Sequence, residues 1–583
     1  MERTKGQGRA AARLRALAPY LAMAGGGLLL RGAFAPFEGQ ASIAFFAPVP
    51  LFLASRLCAP RKAARLGFVW GFAFFASALT WFVPLVRNGG PWPIVLLGEV
   101  GLSAWCALFP ALAAAALSRL RAPWRGLRES ARAAHARMVA AEPDSDEEDE
   151  AFGELAALRR RSLAWEIAGP LAAGLVWAGA ETLRATVGGG FAWYSLGASQ
   201  RAFPALAQLA AAGGTALVSA VVATVADALA GVALRAWDTI RHTPGSTRRH
   251  LDLTVALVAL LAAFLWGSRH ASDAQRLERA ADRSLLVAAV NPRMPCIFSQ
   301  NDAAARDAED RLVTLSASAA LLHPDLVAWP ETTLPDVLPS PRLEADMADL
   351  SGMIGAPILA GSTELPPGET LRAASLVWNS AWIFSTNGIS PPYRKRHLVP
   401  FGEFIPLDET IPALRRLSPA GVSCAAGAGP VLLPVARRGA EGPDDAALVS
   451  PLICFEDTVP ATARASARGA DVLLSISNDA WFEGTCESAQ HHAEAAFRAI
   501  ENGIPLVRVS NHGATGVVLP SGEATPDATG GFLVHAVPLL PRGRAPTPYA
   551  RFGDWLFGFP CAALALLAAF LPARRRSDSG IPH

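Results

Sequence analysis

The chain has 583 residues, 51% hydrophobic and 17% charged, with a formal charge of +2 and a mean hydropathy of +0.28. Soluble domains carry about 25% charged residues. The apolar content therefore excludes a disordered chain, near-neutrality argues against an electrostatic nucleic-acid binder, and seven cysteines in this length exclude a disulfide scaffold.

A bilayer crossing needs about 20 mostly apolar residues. The first 270 residues hold seven such stretches, at 16–33, 41–55, 66–86, 93–118, 167–183, 203–234 and 252–267. Pro48 and Pro50 shorten the second, and Gly25-Gly26-Gly27 weakens helix formation in the first. Further spans follow the first at once with no clear cleavage site, so it is expected to be retained as an anchor rather than removed as a signal peptide. Between the fourth and fifth stretches lies an insert at 119–165, whose almost entirely acidic run from Glu142 to Glu150 sits between Arg-rich flanks. A charge block of this kind reads as a solvated, disordered loop without catalytic function.

From 284 to about 540 short β-type runs alternate with polar turns. The expected strands are 284–290, 325–329, 357–362, 377–385, 447–455, 471–477, 505–510 and 516–520, with helix-period segments at 301–321 and 488–502. This alternation indicates an α/β domain. One last apolar stretch, 552–572, precedes Arg574-Arg575-Arg576. No internal repeat and no Walker or Rossmann glycine pattern in a strand-to-helix context is found.

Orientation follows from the basic residues of the connections. With the N-terminus in the cytoplasm, segments 1–15, 56–65, 119–165, 235–249 and 574–576 lie inside and hold 25 Lys and Arg, whereas the opposite short connections hold only Arg31, Arg87, Arg184 and Arg201. Seven spans then place the α/β domain outside the cytoplasm, and the eighth returns the C-terminus. The expected organisation is a seven-span membrane domain at 1–270 with the charged cytoplasmic insert, an extracytoplasmic catalytic domain at 271–545, and an eighth span with a basic tail at 546–583.

Chemistry in open α/β sheets gathers where strands end, and three such ends carry reactive residue types. Lys395 is the most informative. Only Lys5, Lys62 and Lys395 among 52 basic residues are lysines, so the sole lysine of the α/β domain is expected to do what a guanidinium cannot: point a compact ammonium at one oxyanion. Its alternative is an ordinary ion-pair partner. Cys454 follows an apolar run and precedes Glu456-Asp457; taken alone it also fits a buried, inert thiol or a disulfide with Cys296, Cys424 or Cys486. Glu331, after Trp329-Pro330, alone fits a solvated turn carboxylate equally well. Together the three supply a nucleophile, a base and an oxyanion-stabilising cation, the minimum for acyl transfer through a thioester.

The order Glu, Lys, Cys at strand ends resembles the nitrilase (carbon–nitrogen hydrolase) superfamily, and the flanking words resemble its apolipoprotein N-acyltransferase family. They are Trp-Pro-Glu-Thr at 329–332, the run from Tyr393 to Pro406, Ile-Cys-Phe-Glu-Asp at 453–457, Ser-Asn-Asp-Ala-Trp-Phe at 477–482 and Asn-His-Gly-Ala-Thr-Gly at 511–516. Membrane-part words match as well: 34–37, Glu181 to Arg184, Gly190 to Trp193, and Phe552 to Trp555.

The resemblance implies a polytopic α-helical membrane domain of eight spans joined to a nitrilase-like αββα sandwich, in a bacterial inner membrane with the catalytic domain periplasmic. It implies Cys454 as nucleophile, Glu331 as general base and Lys395 at the oxyanion. The acyl donor would be a membrane phospholipid and the acceptor the N-terminal amine of an S-diacylglyceryl cysteine on an apolipoprotein. Glu403 would support the triad, or bind nearby backbone N–H groups. Glu456 would orient Lys395 or the incoming amine, or act structurally. Trp481 and Phe482 would wall the acyl pocket, or simply pack. Phe455 stands where relatives often have Tyr, so no hydroxyl acts there, and the departure at 291–296 leaves no lid aromatic assigned. Glu99 and Glu181 lie in or near spans, where a carboxylate is a functional suspect or a helix-pairing group. No cofactor and no metal are expected, since His491 and His492, adjacent on a helix, do not share a face. The competing readings are a membrane-tethered nitrilase-type amidase with water as acceptor, and a non-enzymatic membrane protein that binds or transports a ligand.

Overall fold

The computed structural model describes residues 2–34, 40–241, 250–294, 302–334, 337–370, 374, 376–407, 410–411, 423–440, 442–528 and 530–570. Residues 35–37 of one motif, Cys296 and the basic tail at 574–576 lie outside them.

Six of the described helical segments are long and apolar enough to cross a membrane: Pro60–Val86, Trp92–Leu120, Asp146–Gly189, Ala210–Ile240, Leu251–Arg279 and Pro548–Phe570. The expected count of eight is corrected at its second member, and six stand among the described residues. The second stretch forms only the short segment Ile43–Leu57, split into helices Ile43–Phe46 and Val49–Leu57 at Ala47-Pro48, because proline at the start of a helix cannot donate to the preceding turn. The first forms helix Glu2–Leu30, whose initial side chains lie outside the described residues. Close approach is built into the bundle. A Cβ on Gly179 would stand 2.1 Å from the Cys561 carbonyl oxygen, so the fifth predicted span and the closing helix meet backbone to backbone, as small residues permit.

The acidic insert is a second correction. It is not a disordered loop but a helical hairpin, Ala122–Ala140 followed by the start of the 41-residue helix Asp146–Thr186. Ala131, Ala134 and Leu155 are buried between its arms. Ser145 caps the second arm, accepting the Glu148 N–H at 3.3 Å, and Asp146, Glu147, Glu148 and Asp149 fill its first turn. Negative charge there is stabilised by the helix dipole, so a run that looks like a disorder signal is a helix start.

The α/β domain has four layers. One sheet runs in the order Phe532–Leu539, Arg283–Val290, Leu326–Ala328, Ile358–Glu364, Leu376–Ser385 and Gly388–Ile389; the other runs Gly516–Val518, Leu506–Asn511, Val472–Asn478, Ala447–Ile453 and Leu433–Val435. Leu285, Val287, Leu326, Val449, Leu474 and Val507 are buried between them. Helices Asp302–Ala320 and Pro341–Ile354 flank the first sheet, with Leu312 and Met347 in that layer's core. Helices Pro460–Ala467 and Glu487–Asn502 flank the second through Ala463, Ala495 and Ala499. The central strands are parallel and buried on both faces, which is why they read as continuous apolar runs. The edge strand Phe532–Leu539, paired antiparallel to Arg283–Val290, was not expected from the sequence.

The domain is bolted to the bundle by polar contacts. Glu494 accepts the Tyr194 N–H at 2.9 Å, Glu278 accepts the Ser521 N–H at 2.7 Å, and Gln208 donates to the Pro520 carbonyl at 3.1 Å.

Candidate active site

Glu331, Lys395 and Cys454 converge from three chain segments. Cys454 directly follows strand Ala447–Ile453 and opens a tight helical turn, Cys454–Thr458. Its φ is +52°, a left-handed conformation that costs a non-glycine residue of order 1–3 kcal/mol and thrusts the side chain off the strand end. Glu331 follows Leu326–Ala328 and precedes Thr332, also left-handed at φ +49°. Lys395 follows Tyr393–Arg394, and its N–H bonds the Asn379 carbonyl at 2.8 Å.

The Cys454 thiol lies within electrostatic reach of both the Glu331 carboxylate and the Lys395 ammonium. The Lys395 ammonium, 2% exposed, lies 2.8 Å from Glu403 Oε1 and 3.6 Å from Glu331 Oε1. Asn379 Nδ2 donates to both carboxylates, at 2.7 Å to Glu331 and 3.0 Å to Glu403. Glu403 also accepts the Val399 N–H at 2.8 Å, so it pairs with the lysine and closes its own turn at once. Sequence reasoning missed Asn379; the polar pair Asn379-Ser380 inside an otherwise apolar strand was the available signal.

Burial sets the electrostatics. It raises the Glu331 carboxyl above its ordinary range, against the opposing pull of Lys395. It pushes the Cys454 thiol up to about 12, with Glu331 adding to the rise and Lys395 opposing it. Burial works to lower the Lys395 ammonium, but Glu403, Glu331 and Cys454 outweigh it and hold its pKa well above normal. The resting site is thus a protonated thiol beside a carboxyl group, with a permanently charged ammonium next to both.

Glu456 does not reach the lysine ammonium. Its Oε1 accepts the N–H groups of Arg396 and His397 at 2.7 and 3.0 Å, and its Oε2 accepts from Tyr393 Oη at 2.6 Å and the Ile453 N–H at 2.9 Å. It therefore staples the residues after Lys395 to the strand end that carries Cys454. Phe455 stacks on Phe191 and Trp193, with centroids 6.5 and 6.4 Å apart. Phe482 packs edge-on against Trp81 at 5.0 Å, and the Trp481 carbonyl accepts from Asn88 at 2.8 Å. Phe455 seats the cysteine turn, and Trp481 and Phe482 seat the separate turn Asp479–Phe482, on the aromatic rim of the helix bundle. A small cavity of about 20 Å³ inside the bundle, among Leu30, Trp70, Phe74, Phe109 and Tyr194, has no contribution from Cys454. Cys424, Cys454 and Cys486 are free thiols.

Behind the cysteine turn lies a buried charge network that the sequence did not reveal. His491 Nε2 is 2.8 Å from Asp457, and its Nδ1 is 3.3 Å from Asp479 and 3.4 Å from Glu487. Arg508 reaches Asp457 at 3.3 Å and Asp479 at 3.0 Å. Asp479, Glu487 and His491 bring donor atoms within 4.8 Å of one another, a set chemically able to hold a cation. Arg508 already supplies positive charge there. Burial opposes the charged imidazole, yet Asp457 and Asp479 hold its pKa well above normal.

Two family models match the chain: carbon-nitrogen hydrolase over residues 286–529, and the apolipoprotein N-acyltransferase N-terminal domain over 26–142 and 151–228. Among curated relatives, the apolipoprotein N-acyltransferase of Geobacter metallireducens is 29% identical, with 96% of each chain covered. That of Azotobacter vinelandii is 30% identical, again with 96% of each chain covered. Among solved structures, an amidase of the nitrilase superfamily from Nesterenkonia is 16% identical, covering 44% of this chain and 93% of that one, with a TM-score of 0.32.

Proposed function

The chain belongs to the apolipoprotein N-acyltransferase family, and from that premise we propose a two-step acyl transfer through Cys454. The acyl chain comes from a membrane phospholipid and goes to the N-terminal amine of an S-diacylglyceryl cysteine on an apolipoprotein. The observation that carries the assignment of residues is that Cys454 shares one buried site with Glu331 and Lys395, the last two 3.6 Å apart, on a turn whose next residue, Phe455, stacks on the membrane domain's Phe191 and Trp193. Nucleophile and base meet at the boundary where both lipid-anchored substrates reside.

In the first step Glu331 accepts the thiol proton as sulfur attacks the ester carbonyl. The negative charge that develops on the carbonyl oxygen is stabilised by Lys395, whose ammonium needs no reorganisation because Glu403 and Asn379 already fix the site. Collapse expels the lysophospholipid alkoxide, which regains a proton from Glu331, and leaves a thioester. In the second step Glu331 takes a proton from the α-amine, the amine attacks the thioester, and the amide forms as the thiol is released. Extracting acyl chains to a distant soluble site would cost about 0.8 kcal/mol per CH2; chemistry at the bilayer boundary avoids that. The excess of basic residues in one set of connections supports a periplasmic α/β domain and cytoplasmic termini, within the domain limits 1–270, 271–545 and 546–583.

The test is incubation of the full chain with phospholipid and a diacylglyceryl peptide, followed by mass spectrometry. An acyl adduct on Cys454 and an N-acylated peptide are expected. Free fatty acid without N-acylated peptide would assign the chemistry to hydrolysis, and the absence of any adduct would assign the domain to binding alone.

A further inference from the structure

At the other end of the bundle the hairpin closes over a cleft of about 70 Å³, partly open to solvent. Its distance from the active site follows from one helix. Within Ala210–Ile240, Thr215 is held by Glu501 of the α/β domain, whereas Asp238 of the same helix lines the cleft. Twenty-three residues of helix separate them, roughly 35 Å at 1.5 Å per residue.

The cleft is basic, and its carboxylates are already engaged. Arg56, Arg128, Arg159 and Arg235 line it, with Asp238 and Glu166. Asp227 is shared by Arg56 and Arg121, each at 2.6 Å. Asp252 pairs with Arg235 at 2.6 Å, and Asp238 pairs with both Arg128 and Arg132. Six arginines thus meet four carboxylates. Arg159 has no ion pair or side-chain hydrogen bond among the described residues, and its Nε is buried without a partner; so is the Nε of Arg56, a residue only 7% exposed. The oxygen Asp252 Oδ2 is buried without a hydrogen bond as well, and of the lining arginines Arg56, Arg128 and Arg235 each have a carboxylate partner, so Arg159 is the one without a carboxylate partner among the described residues.

The walls identify the surroundings. Trp124 lies between two guanidinium groups, 5.9 Å from Arg56 and 5.7 Å from Arg128, and Trp165 lines the same cleft. Trp237 and Ile240, just beyond Asp238, are 53% and 72% exposed. Tryptophans with arginines at helix ends are the composition of the headgroup level of a bilayer, and basic pockets between spans accept anionic lipid headgroups.

We propose that this cleft binds a phosphate-bearing anion, and that its position makes that anion the headgroup of an acidic phospholipid in the leaflet opposite the α/β domain. Arg159 is the residue that supplies the unmet donors, and the planar fork of its guanidinium suits a phosphate.

The experiment uses the full chain in detergent, with native mass spectrometry and thermal melting after addition of phosphatidylglycerol, phosphatidylcholine or inorganic phosphate. The active site binds phospholipid as well, so the informative quantity is the difference between the wild type and Arg159→Gln, which leaves Cys454, Glu331 and Lys395 untouched. Phosphatidylglycerol retention is expected to fall about fivefold in the variant, the worth of one arginine near an anionic surface. Phosphatidylcholine retention is expected not to change. An Arg159-dependent stabilisation by inorganic phosphate alone would overturn the lipid assignment and leave a site for a soluble phosphate. Equal retention of both lipids by wild type and variant, with no phosphate effect, would overturn the site itself. Should Arg159→Gln fail to fold, Arg159→Lys, which keeps the charge but not the fork, is expected to fall between the two. The preference of the wild type for the acidic lipid over the zwitterionic one is then the deciding measurement.

Discussion

The ammonium of Lys395 lies closer to Glu403 than to Glu331, 2.8 Å against 3.6 Å. Glu403 is therefore the main counter-charge, and Glu331 the more weakly paired carboxylate. Replacing Glu403 by Gln is expected to draw Lys395 onto Glu331 and to weaken Glu331 as a base. Thioester formation should slow by about 10- to 100-fold, the scale of losing a positioned partner, while the chain still folds. Rapid-quench mass spectrometry of the acyl adduct measures it; an unchanged rate would show that Glu403 only closes its turn.

Lys395→Met should lower the rate of thioester formation about 100- to 1000-fold, as for loss of one oxyanion donor. Lys395→Arg should not restore it. The lysine sits in a slot where it is 2% exposed, and a planar guanidinium does not fit where a point charge did.

The pH dependence follows from the two raised pKa values. Burial pushes the Cys454 thiol up to about 12, so spontaneous thiolate contributes little in ordinary assays. The rate should instead climb as the Glu331 carboxyl ionises, above the usual glutamate range because burial raises its pKa. In stability terms a carboxyl raised on folding favours the native state at low pH and loses that contribution as pH rises through its folded value. Alkylation of Cys454 by iodoacetamide should accordingly follow the same rising limb. In Glu331→Gln the limb should vanish, leaving slow alkylation that grows only toward strongly alkaline pH.

Arg508→Met should destabilise the α/β domain by about 3–5 kcal/mol, the cost of leaving buried partners uncompensated. Asp457 and Asp479 are both held below the ordinary aspartate range: burial pushes each of them up, and His491 and Arg508 outweigh it. A depressed carboxylate contributes stability above its unfolded pKa and loses it as pH falls through the folded value. His491 behaves oppositely: its raised pKa gives stability below the unfolded value, lost as pH rises through the folded one. Thermal melts across pH should show both limbs in the wild type, and Arg508→Met should move the acid limb toward neutrality.

Phe455→Tyr should be tolerated, because the stack on Phe191 and Trp193 needs only the ring. Phe455→Ala should lose acyl transfer from membrane phospholipid while iodoacetamide still labels Cys454. Labelling lost together with transfer would mean that the turn itself had collapsed.

Apolar run length made the long helices legible, and alternation made most central strands legible, because burial on both faces leaves a continuous signal. The second span was legible in part: Pro48 and Pro50 mark its shortening in the sequence, and the helix breaks at Ala47-Pro48. The acidic insert misled because a high density of charge has two physical meanings. At 146–149 the charges sit on a helix N-terminus behind a serine cap, where the dipole favours them. Lys395 stood out through its rarity, and Cys454 through the strand before it. Asn379 and His491 did not, because their partners are remote in sequence: Asn379 lies 48 residues from Glu331, and His491 lies 34 from Asp457.

Helix Asp146–Thr186 is 41 residues long, roughly 60 Å at 1.5 Å per residue, about twice the hydrocarbon thickness of a bilayer. Its final turn leads into the segment bearing Phe191 and Trp193, and its opening turns form one arm of the hairpin. One continuous helix, with Pro170 inside it, thus joins the segment under the cysteine turn to the basic cleft. Its depth in the bilayer therefore bears on the height of both.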